Sequence, residues 1–180
     1  MRLCAYCLLT IVIMHFLSCQ TIHSAVQNEN MESINRYLDE GSTVNDLDSE
    51  GKPLLIEAVE TGNIELVVFL IEKGADIDRQ YAPSELTPLR VAIETNNAEI
   101  TSLLIENGAD VTKTNSVGWS PLMSAARDAS VDIIQMLVDA GANPYAETAL
   151  KRTPKSIAIE ENRLYVASYI QLFVLNPLDE

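Results

Sequence analysis

The chain has 180 residues, 47% of them hydrophobic and 21% charged, which fits one folded domain with a sizeable core and excludes a disordered chain. Twelve basic residues against 26 acidic ones leave a formal charge of −14, which repels phosphate backbones and anionic membrane surfaces, so nucleic acid is not an expected partner. Cys4, Cys7 and Cys19 all precede residue 20, which leaves the body without the means for a disulfide or a cysteine zinc site, and His23 is the one histidine beyond the leader, which removes most of the residues that metal ligation, triads and cysteine nucleophiles would need.

The chain opens with Arg2 and then a largely apolar run, Leu3 to Leu17, with no acid before Glu29. A run of about fifteen apolar residues behind one basic residue has the form of a secretory signal peptide, and it is shorter than the roughly 20 residues a spanning helix needs. An uncleaved anchor is the alternative. The segment ends Phe16-Leu17-Ser18-Cys19, which resembles a bacterial lipobox: Ser18 and Cys19 fit, whereas Phe16 and Leu17 depart from the usual leucine and small residue. That resemblance implies a signal peptide over 1–18, lipidation of Cys19 and a place in the bacterial cell envelope, as a periplasmic or outer-membrane lipoprotein. A cut by ordinary signal peptidase near Thr21, giving a secreted chain, is the other reading.

From there on a repeat governs the sequence. Gly41, Gly74, Gly108 and Gly141 are spaced by 33, 34 and 33 residues, and the columns Ala25, Ala58, Ala92, Ala125, Ala158 and Tyr37, Leu70, Leu104, Leu137, Ile170 keep the same period. The extra residue belongs in the loop Tyr81 to Glu85. Thr87-Pro88, Ser120-Pro121 and Thr153-Pro154 each set a hydroxyl N-cap before a proline at the first helical position, which predicts a helix start. A second helix is predicted after each of Gly62-Asn63, Asn96-Asn97, Ala129-Ser130 and Asn162-Arg163, with Glu65, Glu99 and Asp132 near its positive end. The periodic glycines, able to adopt positive φ, are its predicted stop.

The runs Thr87-Pro88-Leu89-Arg90-Val91-Ala92 and Ser120-Pro121-Leu122-Met123-Ser124-Ala125, with Gly74-Ala75-Asp76 and Gly108-Ala109-Asp110, resemble the signature of ankyrin repeats. The resemblance implies an all-α solenoid of stacked helix-turn-helix units with short hairpin loops, over units of about 19–51, 52–85, 86–118, 119–151 and 152–180 in a domain of 19–180. Lys52-Pro53-Leu54-Leu55 shifts its proline one place early, and the first and last units depart from the pattern in the manner of solvent-facing caps.

His23 falls in the family's histidine column, where the ring usually bonds turn backbone, and a structural role is expected for it. The acids Asp46, Asp48 and Glu50 lack the spacing of a calcium loop, and no phosphate loop, nucleophile elbow or zinc spacing occurs. No cofactor, metal or catalysis is expected. The family resemblance implies that loop tips and first-helix faces line a groove. On that register the tips are Lys52, Leu86, Trp119 and Arg152, and the helix face offers Glu57, Glu60, Arg90, Glu94, Met123 and Arg127. Trp119, the lone tryptophan, is the leading hot-spot candidate, and packing onto the next loop is its alternative role. The acids Glu65, Glu72, Glu99, Glu106, Asp132 and Asp139 are expected on a solvated opposite face. The expected function is a non-catalytic protein-interaction module, exported, membrane-anchored and monomeric, with acidity steering it toward a basic partner. A protein that neutralises a secreted toxin or assists an envelope enzyme is the narrower alternative, and an enzyme with an unrecognised site the least favoured.

Overall fold

The computed structural model describes residues 22–82 and 84–175, and the leader, including Cys19, lies outside them. The chain is an all-α repeat solenoid built of helical hairpins. In order, the helices are α1 (22–27), α2 (Met31–Asp39), α3 (Leu54–Thr61), α4 (Ile64–Glu72), α5 (Pro88–Glu94), α6 (Ala98–Glu106), α7 (Pro121–Asp128), α8 (Val131–Asp139), α9 (Pro154–Glu160) and α10 (Leu164–Leu175). Among the described residues there is no strand, only the isolated bridges Leu47–Pro53 and Tyr81–Leu86 that close two loops. The described residues fall into two compact units that divide between Asp76 and Ile77.

The unit that ends at Asp76 holds two hairpins. Asn30 and Asn63 cap α2 and α4, each side-chain oxygen accepting from the backbone N–H three residues on. Pro53 occupies the N-cap of α3 without a side-chain bond, the local cost of its early proline. Ile22, Val26, Ile34, Leu54, Leu55 and Leu66 are fully buried and make the core of this unit. His23 takes another partner than the family's usual turn backbone: Nδ1 meets the Glu57 carboxylate at 2.5 Å, and Gln27 Nε2 donates to the other Glu57 oxygen at 3.1 Å.

The unit that begins at Ile77 holds three hairpins. Their first helices pack in the order α5, α7, α9, and their second helices in the order α6, α8, α10. Thr87, Ser120 and Thr153 cap the first helices by accepting from Arg90, Met123 and Ser156 N–H, with proline next, as the sequence predicts. In both units the second helices end alike: Gly41, Gly74, Gly108 and Gly141 have φ of +87 to +105°, a backbone turn that a side chain resists. The inserted residue also lies where the period requires. The Tyr81 loop closes by hydrogen bonds to Leu86, five residues on, whereas Asn115 and Thr148 reach Trp119 and Arg152, four residues on. The acids Glu99, Glu106, Asp132 and Asp139, with Glu65 and Glu72 of the other unit, are exposed.

Two features break the repeat. A left-handed residue follows or ends most first helices, at Glu29, Gly62, Asn96 and Asn162, but the corresponding Ala129 stays at φ −89°. There Arg163 replaces the turn: its guanidinium donates to the carbonyls of Ala125 at 2.9 Å, Ala126 at 2.8 Å and Ala129. A cation at a helix C-terminus also complements its dipole. The last hairpin differs from a polar cap, because Ile159, Leu164, Tyr165, Leu172 and Leu175 are exposed; Lys155 and Gln171 join across it at 2.5 Å.

Candidate partner-binding site

The loop before α7 is fixed from within. Asn115 Oδ1 accepts from Val117 N at 3.2 Å and Trp119 N at 2.9 Å, while Gly118 N donates to Asn115 O at 2.9 Å. Gly118 has φ +79°, and a Cβ there would meet Glu147 O at 3.2 Å and Thr148 Cα at 3.3 Å, so a side chain would press on the next loop. Ala149 N donates to Val117 O at 3.1 Å and joins the two loops. Their tips carry apolar groups into solvent: Val117 is 53% exposed and Leu150, its equivalent one repeat later, 81%.

The rigid loop holds Trp119 half-buried. Its Nε1 donates to Ser124 Oγ at 2.9 Å, and that hydroxyl lies 3.1 Å from Glu94 Oε1. The same glutamate oxygen meets Arg90 Nη2 at 3.2 Å and Arg127 Nη2 at 3.5 Å. The Arg127 and Arg152 guanidinium carbons lie 5.5 and 5.4 Å from the Trp119 ring centroid, within cation–π range. Asp128 pairs with Arg127 and Glu160 with Arg152. Partial burial works against the Arg127 charge, yet the Asp128 hydrogen bond and the Asp128, Glu94 and Glu161 carboxylates outweigh it and raise its pKa further. Such a patch presents an aromatic ring and two oriented guanidinium groups, each paired with a carboxylate.

Five of the residues projected from the repeat meet here: Trp119, Arg152, Arg90, Arg127 and Glu94. Leu86 closes the α5 loop and is half-buried, and Lys52 pairs with Glu60 in the other unit. Three projected contacts are corrected. Met123 is fully buried with its sulfur 3.5 Å from Ser120 N, Glu57 is 3% exposed against His23, and Arg90 is 5% exposed, so none has surface to give a partner. Each points inward because its column faces the neighbouring helices. Trp119 lies against Arg152 of the next loop, a contact of the kind its alternative packing role expects. The register missed Ser124, Val117 and Leu150. The last two had a signal, since an apolar residue at an exposed tip recurs 33 residues apart.

Rigid helical hairpins with variable, exposed tips define a repeat scaffold for macromolecular contact. Residues 22–115 match the family of ankyrin repeats (three copies), and 117–149 match a further ankyrin repeat. The chain belongs to the ankyrin-repeat family, whose members are generally non-enzymatic protein-interaction modules. It is similar to an ankyrin repeat-containing protein of Treponema pallidum (strain Nichols), 32% identical over 127 residues, 71% of this chain and 43% of that protein. The chain thus spans less than half the length of that relative.

Proposed function

We propose that the chain binds a protein partner through the face around Trp119, with Val117, Leu150, Arg127 and Arg152 as contacts and no catalysis. The observation that carries this reading is the half-buried Trp119 ring held by Arg127 and Arg152 beside two exposed apolar tips. Tryptophan and arginine dominate interface hot spots, and a ring already fixed loses little freedom on binding. The partner supplies an apolar anchor to the tips, and the negative net charge steers a basic partner. A photo-crosslinker placed at Leu150 is expected to trap one partner from extract of the source cells, and one at Asp139 on the opposite helices is not. Trp119→Leu is expected to cut the Leu150 adduct at least tenfold while the fold holds; equal trapping at both positions defeats the reading.

The leader supports a second proposal, that the chain is exported and anchored to the envelope through lipidated Cys19, where it would protect against a secreted toxin or assist an envelope enzyme. No helix among the described residues is long and apolar enough to cross a membrane. Fatty-acid labelling that is present in the wild type and absent in Cys19→Ser is expected.

A further inference from the structure

We propose that the chain pairs with a second copy of itself through the outer side of α10, in place of the monomer expected from the sequence. The twelve residues of α10 carry no charge, in a chain with 26 acids. Each of the four earlier second helices bears an exposed acid at its second and ninth positions: Glu32 and Asp39, Glu65 and Glu72, Glu99 and Glu106, Asp132 and Asp139. The same two columns of α10 hold Tyr165 and Leu172, which are exposed as well. An apolar side chain thus stands in solvent at the places the repeat elsewhere gives to carboxylates.

A further hairpin is not the occupant this surface fits. Where stacking continues, the columns of Lys155 and Gln171 are apolar, with Leu89 and Leu122 in one and Ile105 and Val138 in the other. Here Lys155 and Gln171 are polar and join each other, which closes the stacking side, and the apolar stripe lies around α10 from it. A second copy fits the stripe for two reasons. The first is its pattern: Leu164, Ser168 and Leu172 stand four residues apart on one ridge, and the order reads alike in both directions about Ser168. Two copies that cross antiparallel at Ser168 set each Leu164 against the other copy's Leu172, with the small serine where the axes come closest. The Ser168 hydroxyl already donates to Leu164 O at 2.9 Å, so burying it strands no donor. The second reason is charge. Two uncharged helices meet without like-charge repulsion, whereas a basic partner finds no carboxylate on α10 to pair with.

The test uses the purified full chain with Cys4, Cys7 and Cys19 replaced by serine and one new cysteine added. Ser168→Cys is expected to oxidise to a disulfide-linked dimer at least tenfold faster than Glu106→Cys, an exposed site on α6. The crossing brings the two Cα atoms at position 168 within the roughly 4–7 Å that a disulfide spans. Adding Leu172→Glu restores the acid of the earlier helices and should abolish that advantage. Because Leu172 is 55% exposed, the substitution leaves the hairpin folded, which circular dichroism checks. A Ser168→Cys chain that oxidises no faster than Glu106→Cys overturns the proposal, and that is the result if residues 176–180 or a different protein cover the stripe. A dimer that survives Leu172→Glu also overturns it, since the copies would then be joined elsewhere, the apolar leader included.

Discussion

The loop that closes at Asp48–Lys52 and the loop that closes at Asn115–Trp119 share one backbone and carry different chemistry. In each, an amide or carboxylate oxygen accepts two backbone N–H groups, a glycine turns the chain, and the closing residue faces the residue eight positions later on the next helix. In the first loop that pair is half-buried Lys52 with exposed Glu60, a surface ion pair; in the third it is Trp119 with Arg127, a cation over a ring. The repeat therefore fixes where two side chains meet and leaves what they do open. An exposed ion pair contributes at most about 1 kcal/mol, whereas an aromatic anchor offers a surface for recognition. The ends of the first helices differ in the same way: α5 is followed by a left-handed Asn96, and α7, followed by Ala129, relies on Arg163.

The largest expected effect tests that difference at the helix ends. Arg163→Met leaves three carbonyls of the α7 terminus without their charged donor and should cost about 3 kcal/mol in urea unfolding. Arg163→Lys, with its single flexible ammonium, should recover part of it. A loss below about 0.5 kcal/mol would mean that water closes the α7 end as well as the guanidinium does.

The two loops themselves come next. Gly51 and Gly118 both have positive φ, at +82 and +79°, but a Cβ at Gly51 meets open space and one at Gly118 meets the next loop. Gly51→Ala should cost about 1 kcal/mol from backbone strain alone, and Gly118→Ala about 2–3 kcal/mol, with the difference read from paired denaturation curves. Equal costs would show that the loop-to-loop contact yields freely.

The smallest effect concerns Asp110, whose carboxyl lies below the ordinary carboxylate range because the Thr112 hydroxyl and then the Thr112 backbone N–H donate to it, with Lys113 adding its charge. A depressed carboxyl adds stability that is present above its unfolded value of about 3.9 and is lost as pH falls through its folded value. Thr112→Val should move the Asp110 titration, followed by NMR, upward toward the ordinary value and slightly reduce the pH dependence of stability below about pH 4.

Much of the scaffold was legible in the chain, because its signals are local. A threonine before proline, an asparagine three residues before the N–H it caps, and a glycine where the backbone must turn left act within a few residues, so a one-dimensional period locates them. The insertion between Tyr81 and Leu86 was legible for the same reason. The candidate site was legible only in part: the period set Trp119 and Arg152 in one tip column and Arg127 on the helix face, but it offered Met123 and Arg90 as surface when both are buried.

By itself, the sequence determined the repeat, its helix caps and the acidic charge, which follow from spacing and composition, and its resemblance to ankyrin repeats implied the all-α class. The tertiary structure alone decided that His23 meets Glu57 34 positions away, that Trp119 lies against two arginines, and that Arg163 closes a helix more than thirty residues earlier. Such contacts depend on the stacking offset between hairpins and the rotamer each side chain takes there, and neither leaves a period in the chain.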